Sequence, residues 1–563
     1  MPPSRRILCA VALGVIAAAL YVRGLGRAPL WEPDEGRYAE IAREMAVSGD
    51  YVTPRDDGLR YFEKPPLVYW CDAAALSLFG KREFAVRLPA ALFTAGEVAV
   101  TFAIADLMFD TAASLLAGAV LILSPLVFAF ALFATLDPAL AFFLTAGLGA
   151  FYAASREPDL GAGDGRLWMI VAAALLALGT LSKGPVALVL GGAIALVWLV
   201  WERRAGDLAR FPFFTCAAVY AAIVAPWFIL AELRNPGFLH FFLVHEHLQR
   251  YLQSQEHGWG PWFFVPIVVA GAWPWLYFVP PALSGFRQQS ERASAIRFLL
   301  VWFAVIFVFF SIPRSKLGSY ILPAMPPIAI VAGLGLSSLR NVASSHSQRT
   351  IRNFAIVNGI LLVVGAIVIF GFLHDWLWPG VEGLIAAVAL CGAAIGCAAL
   401  VAEFRPPWLA VGLLAASTFI ASFAATQMRN DLSERMSYRS LASAIQPYLN
   451  KNDCLLGSYR HYEQALPFYT GKREVPVEYL GEIAEFEPSG SVPDAFITRD
   501  DRLRALWSSR RCFILIANRS DFASLASELA PRPIVLGCEG KKLALGNLLP
   551  PGFTGTPADC SAP

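Results

Sequence analysis

The sequence predicts an α-helical polytopic membrane protein of about 13 transmembrane helices with a C-terminal soluble α/β domain. Three observations carry this. Of 563 residues, 57% are hydrophobic and 16% charged, with mean hydropathy +0.55; a soluble fold has too little interior for that much apolar surface. Apolar runs of roughly 17 to 22 residues, the length that crosses a bilayer, recur along the chain. From Thr426 the composition turns polar, with short β-rich and helix-like runs in alternation.

Ser4, Arg5 and Arg6 precede an apolar run from Ile7 to about Val22 that looks like the n- and h-regions of a signal peptide. No small-x-small cleavage site follows, so it reads as a retained first span with its N-terminus inside. Further spans are expected to begin near Leu88, Thr111, Pro138, Leu167, Pro185, Pro212, Pro261, Ile296, Tyr320, Phe354, Glu382 and Leu409. Alternate loops carry Arg156 and Arg166, then Arg203, Arg204 and Arg210, then Arg287, Arg292 and Arg297, then Arg340, Arg349 and Arg352. With Arg5 and Arg6 they mark the cytoplasmic side. The opposite side then receives residues 30–83 and 232–260 with their juxtamembrane helices, the Ser311 to Tyr320 turn and everything beyond Thr426. The domains are accordingly 1–426, spanning the membrane, and 427–563, α/β, with strands over Cys454–Tyr459 and Cys512–Ala517 and helices over Tyr438–Leu449 and Ser520–Leu529.

Net charge is +2 and the basic residues sit in short loops, so nucleic acid is excluded as a partner and membrane lipids are expected. Nine cysteines include no Cys-x-x-Cys pair, which argues against a thiolate zinc or dithiol redox centre. Cys9, Cys71, Cys216, Cys391 and Cys397 read as small buried residues. Cys454, Cys512, Cys538 and Cys560 can pair in three ways, and the sequence leaves that choice open.

The stretch from Leu30 to Trp70 concentrates ionisable groups between apolar segments. Pro33 suits the opening of a helix, and Asp34 and Glu35 suit its positive end. Tyr38, Ile41, Ala42 and Met45 then share one face and Arg37, Glu40, Arg43 and Glu44 the other, the pattern of an amphipathic helix lying on the membrane. Helix capping alone would account for Asp34. In Glu63-Lys64-Pro65-Pro66 the prolines hold the backbone extended, so acid and base project from a fixed segment. Lys64 suits a phosphate; snorkelling to headgroups accounts for it equally well. Residues 238–251 add His240, His245, His247 and Arg250 among aromatics, a setting for acid–base work or a metal. Asp137, Lys183, and the crowd of Arg314, Lys316 and Tyr320 stand at outward ends of spans, where ionisable groups usually face a cavity.

Asp34-Glu35-x-Arg37-Tyr38, Ser48-Gly49-Asp50-Tyr51-Val52-Thr53-Pro54, Tyr61-Phe62-Glu63-Lys64-Pro65-Pro66, Ser182-Lys183-Gly184 and Lys316-Leu317-x-x-Tyr320-Ile321-Leu322-Pro323 together resemble the bacterial aminoarabinose transferases of lipid A. These belong to the GT-C glycosyltransferases that use polyprenyl-phosphate sugars, a class that includes the protein O-mannosyltransferases. The resemblance spans nearly the whole chain. It implies a multi-pass bacterial inner-membrane enzyme with its active site and C-terminal domain in the periplasm, an undecaprenyl phosphate-linked 4-amino-4-deoxy-L-arabinose donor and a lipid A acceptor. It further implies that Lys64, Arg250 and Tyr320 hold the lipid phosphate and that Asp34 lies beside the sugar. Glu63 and Asp137 are the other carboxylates expected to act in catalysis, while Arg37, Tyr38, Tyr61 and Lys183 line the substrate cavity. Glu63 and His245 match positions that share a divalent ion such as zinc. Gly36, where relatives often carry Pro or Thr, and Gly318-Ser319, where Pro-Thr is common, depart from the pattern. A different acceptor, protein or glycolipid, stays open; a transporter is disfavoured because the ionisable groups gather on one face.

Overall fold

A computed structural model describes residues 2–157, 161–249, 258–283, 290–338, 437–452, 454–479 and 500–548, with isolated positions between them. It divides into two compact units: one of Met1–Gly24, Ala90–Ile229 and Leu243–Met428, the other of Leu25–Pro89, Leu230–Phe242 and Arg429–Pro563.

The chain begins with α1 (Pro3–Val22), α2 (Asp34–Ser48), α3 (Leu67–Phe79) and α4 (Glu83–Met108). It continues with α5 (Thr111–Ile122), α6 (Pro125–Ala131), α7 (Asp137–Ser155), α8 (Gly163–Lys183), α9 (Val186–Trp201) and α10 (Phe213–Arg234). Among the described residues seven helices are long and apolar enough to cross a membrane: α1, α4, α7, α8, α10, Glu291–Ser311 and Gly318–Ser338. α5 and α6 make an eighth if their 59° bend is one broken span. The expected spans at Pro185 and Pro261 are shorter apolar helices, Val186–Trp201 and Pro261–Gly271. Those at Phe354, Glu382 and Leu409 lie outside the described residues, as do Cys391 and Cys397.

Local chemistry explains these boundaries. The Asp110 carboxylate accepts from the amides of Ala112 and Ala113 (2.9 and 3.0 Å), capping α5, and the Ser290 hydroxyl accepts from Ala293 (3.2 Å); each satisfies an amide a helix start leaves without an intrahelical partner. α7 is the most enclosed of the helices in its unit along with Gly318–Ser338, with 89% of its apolar window buried. It packs on α8 through small residues: a Cβ at Gly147 would lie 3.1 Å from the Leu176 side chain. Without a hydrophobic drive between helices in lipid, such close approach is what holds them.

In the second unit a five-stranded sheet runs β4-β3-β5-β7-β6. Its strands are β3 (Leu455–Tyr459), β4 (Glu474–Val477), β5 (Phe513–Asn518), β6 (Ile534–Glu539) and β7 (Lys542–Gly546). A short hairpin, β1 (Arg55–Asp56) and β2 (Leu59–Arg60), precedes them in the chain. β3 pairs parallel with β4 and β5, and β7 antiparallel with β5 and β6. Alternation along β5 builds a core on each face. Phe513, Leu515 and Ala517 join Trp507 and Leu525, while Ile514 and Ile516 join Leu441, Ile445 and Leu449 of the helix Arg439–Asn452. The cysteine pairing that the sequence left open is Cys454–Cys512 and Cys538–Cys560. Of the apolar-segment cysteines in the described residues, Cys216 is buried, and Cys9 and Cys71 are half-buried.

One expectation is corrected. α2 does not present a polar face to the surface, because Arg37, Glu40 and Glu44 are buried along with Ile41, Ala42 and Met45. The C-terminal residues cover it. The Ala465 amide donates to Glu32 Oε1 (2.6 Å), the Glu474 amide to Asp57 Oδ1 (2.8 Å), the Tyr462 hydroxyl to Asp56 (3.2 Å), and the Leu30 amide to the Tyr469 hydroxyl (2.8 Å). Among these groups burial pushes the Glu40 carboxyl up to about 7 against its Arg43 partner and raises Glu32, Asp56, Asp57 and Glu474 well above the usual carboxylate range. Burial also works against ionised Glu463, but His461 and Lys542 beside it hold its carboxyl low.

Two outcomes follow. A Cβ on Gly36 would lie 2.6 Å from the Ala465 nitrogen, so Gly36→Ala should lower the thermal midpoint, whereas on an open helix it would stabilise by about 1 kcal/mol; circular dichroism melts decide the sign. Carboxyls held protonated by the fold release protons on unfolding, so their stability contribution is full below the unfolded carboxylate range and is lost as pH rises through the folded values. The melting midpoint of the second unit's transition should therefore fall between pH 5 and 8, through the value of about 7 for Glu40. Asp57→Asn, which keeps the acceptor for Glu474 and tolerates the positive φ of 55°, should flatten that decline.

Candidate active site

The sequence-nominated residues fall into two groups, one in each unit. In the second unit Asp34 opens α2 behind Pro33 and is half-buried. One turn on, Arg37 directs Nη1 to the Tyr61 hydroxyl (3.4 Å) and lies 5.8 Å from the centre of that ring. Tyr38 and Tyr69 pack with ring centres 5.8 Å apart. Burial, and after it the Asp34 charge, pushes the Tyr38 phenol up; burial and the Glu63 charge do the same to Tyr61 and Tyr69. All three phenols are therefore protonated donors at any ordinary pH. Glu63 is buried, and Lys64 Nζ stands 3.7 Å from its carboxylate and 3.2 Å from its carbonyl. Pro66 then starts α3, and Phe62 packs on Phe238 at 4.7 Å between ring centres. Residues 63–66 follow the packed Phe62 ring and, where an extended backbone was expected, bend at Glu63, Lys64 and Pro66; Lys64, with a side chain 21% exposed, is the more open of the charged pair.

The Ser48-Gly49-Asp50 turn frames this group. Gly49 takes the left-handed conformation that ends α2 (φ 72°), and Asp50 accepts from the amides of Val52 and Thr53 (3.1 and 3.2 Å). Asn235 donates to the Thr53 hydroxyl (3.0 Å) and Arg234 to Asp50 (3.1 Å).

In the first unit Asp137 at the start of α7 is ion-paired with Lys183 at the end of α8. Each charge sits at the helix end whose dipole favours it. Lys183 Nζ also stands 4.1 Å over the Tyr320 ring, a cation–π contact that is strongest where water is excluded. Tyr320 leans on Phe310 (5.5 Å). Lys316, buried, donates to the carbonyls of Trp259 and Pro313, so it shapes the Ser311–Tyr320 turn; Arg314 is exposed. His245 lies 3.4 Å from Glu246, with a side chain 49% exposed, in the π-helix Phe241–Gln249. Arg250 lies outside the described residues.

Among the described residues no group of three or more His, Cys, Asp or Glu side chains could hold a metal ion. Glu63 and His245, the expected pair, belong to different units. Two donors do not complete a zinc shell, so no chemistry is routed through an ion here.

Sequence reasoning missed Arg87 and the role of Glu35. Both are fully buried and share two hydrogen bonds of 2.7 and 2.6 Å. The clue was present: an arginine within a long apolar helix is costly unless it has a specific partner. Tyr69 and Asn235 carried no comparable mark.

The family model described as dolichyl-phosphate-mannose-protein mannosyltransferase matches residues 6–242, and the one described as aminoarabinose transferase C-terminal domain matches residues 441–543. The undecaprenyl phosphate-alpha-4-amino-4-deoxy-L-arabinose arabinosyl transferase of Erwinia tasmaniensis is 31% identical over 540 residues, covering 93% of this chain and 96% of that one. Its counterpart from Aeromonas hydrophila is 34% identical over 370 residues, 64% of this chain and 66% of the other. The crystal structure of ArnT from Cupriavidus metallidurans bound to undecaprenyl phosphate superposes with a TM-score of 0.83 at 28% identity, over 96% of this chain and 98% of that one. The fold, the juxtamembrane loop and the end-to-end relationship agree: the chain belongs to the family of undecaprenyl phosphate-aminoarabinose arabinosyltransferases, multi-pass GT-C glycosyltransferases of the membrane.

Proposed function

We propose that the protein transfers 4-amino-4-deoxy-L-arabinose from undecaprenyl phosphate to lipid A at the periplasmic face of the bacterial inner membrane. The observation that carries this reading is the relationship to named arabinosyltransferases over nearly the full length of both chains, joined to a similar fold solved with undecaprenyl phosphate bound. The arginine-bearing alternate loops support the orientation, as do the two disulfides of the C-terminal region, which suit an oxidising compartment. In this reading the membrane part has thirteen spans.

Cleaving the glycosyl–phosphate bond leaves a lipid phosphate with added negative charge, so fixed cations and donors around it give the largest help. Lys64, Arg250 and Tyr320 are assigned to it, and Lys183, held beside the Tyr320 ring, adds a positive field. Asp137 keeps Lys183 in place. Asp34 is assigned to the sugar, with Tyr38 and the Arg37–Tyr61 pair as its neighbours. A lipid A phosphate attacks as an anion and asks no strong base of the enzyme; an acceptor hydroxyl would make Asp34 the base.

The test is mass spectrometry of lipid A from cells lacking their own aminoarabinose transferase. Expression of this protein should add the aminoarabinose mass, and Asp34→Asn should abolish it while the protein still inserts. Unmodified lipid A in the presence of the inserted wild type would move the acceptor to a protein or another glycolipid. Separately, Lys64→Ala should weaken undecaprenyl phosphate binding by about 10- to 100-fold, the worth of one charge-assisted hydrogen bond; unchanged affinity in a direct binding assay would remove Lys64 from the phosphate site.

A further inference from the structure

α7 and α8 carry the Asp137–Lys183 pair at one end and a cavity of about 670 Å³ toward the other. Gly147 and Phe151 of α7 line it, with Met169 and Leu176 of α8 and Gly191 and Gly192 of α9. At 1.5 Å per residue, Gly147 and Phe151 lie about 15 and 21 Å along α7 from Asp137. On α9 the lining runs from Leu188 to Leu199, so the cavity extends from the end of the bundle away from the ion pair to past its middle. Its wall is apolar: Tyr220 turns its hydroxyl to Thr180 (2.8 Å), and Asp207 is the one charged residue in the lining.

Gly192 leaves room for an occupant. A Cβ on Gly192 would meet nothing within 4 Å. The rim is formed by the segment after α9, whose Asp207, Leu208 and Phe211 line the cavity, and by the start of α10. Among the described residues of this end basic side chains outnumber acidic ones, with the exposed Asp164 two residues from Arg166. Arg204 pairs with Asp207 (2.7 Å) and donates to the Ser155 carbonyl (2.8 Å), Arg297 pairs with Glu202, and Arg156 with Glu291 (3.4 Å). Arg166, Arg203 and Arg210 are exposed and have no carboxylate partner among the described residues; Arg166 donates to the Thr215 hydroxyl (3.0 Å).

An apolar slot whose rim segments carry three exposed guanidiniums is complementary to a lipid with a hydrocarbon chain and an anionic head. We propose that this groove binds one acyl chain of an anionic glycerophospholipid, with the phosphate on Arg166, Arg203 and Arg210. The cytoplasmic leaflet, where these arginines lie in the orientation proposed above, is where anionic lipid meets juxtamembrane cations. Separating this lipid from the sugar donor rests on the proposed function, in which the donor phosphate sits at the far end of α7 and α8.

The probe is palmitoyl-oleoyl phosphatidylglycerol against the phosphatidylcholine of the same chains, titrated onto the purified full chain in detergent and read by native mass spectrometry. Phosphatidylglycerol should bind at a concentration at least about tenfold lower. The triple variant Arg166→Gln, Arg203→Gln, Arg210→Gln should bind both lipids alike, and Gly192→Leu, which fills the slot, should lose the tight adduct. The melting curve in lipid-free detergent checks that each variant is folded. Equal binding of the two lipids by the wild type, or an undiminished preference in the folded triple variant, overturns the proposal. So does undecaprenyl phosphate displacing phosphatidylglycerol in a Gly192-dependent way, which would give the groove to the donor. Detergent has no leaflets, so the result stands or falls apart from the orientation and the transfer reaction.

Discussion

The guanidinium of Arg87 is the joint on which the loop carrying Asp34 hangs. Its five N–H groups all have acceptors: two on Glu35, and the carbonyls of Leu25, Ala28 and Pro29 at 2.8, 2.5 and 2.7 Å. Glu35 in turn accepts from the Trp31 amide (2.9 Å). One side chain on α4 therefore fixes both the descending chain after α1 and the first turn of α2. Asp34 is the residue next to Glu35, so the backbone that presents it is held by this pair. A buried pair of this kind is weak evidence for stability as such, because desolvation costs nearly what attraction returns, but removing one partner leaves a naked charge and costs about 3–5 kcal/mol. Geometry is what the pair supplies.

The electrostatics of the two residue groups follow different rules. In the second unit carboxylates outnumber the cations near them and are partly silenced by burial, whereas Lys183 and Asp137 of the first unit are matched one to one and oriented by helix dipoles. In the reaction proposed above, a lysine paired with an acid yet held against the face of Tyr320 would offer part of its field to the phosphate without a change of protonation. Preorganised charge of this sort helps because little rearranges when the reaction occurs.

Much of this was legible in the sequence. The Pro33 boundary, the helix behind it, the strands near residues 455 and 513 and the grouping of Asp137, Lys183 and Tyr320 all follow from local rules, and the structure has them at or within a few residues of the expected places. The error over α2 has a physical origin. A helix with separate polar and apolar faces looks the same whether its polar face meets water or the polar surface of another domain, and the residues that cover it are more than 400 positions away. The disulfide pairing and the Arg87 contacts were hidden for the same reason: each depends on what the fold brings together, and neither leaves a periodic trace along the chain.

That separation has a consequence in time. The Glu32 carboxylate and its Ala465 donor are 433 residues apart, so at the usual pace of about 5–20 residues per second the ribosome needs about 20–90 s after making one to reach the other. Throughout that interval the loop carrying Asp34 exists without the surface that later encloses it, its acids wet and ionised. A segment made early is thus among the last to mature, and an unfinished chain carries Asp34 and its neighbours but not their final arrangement.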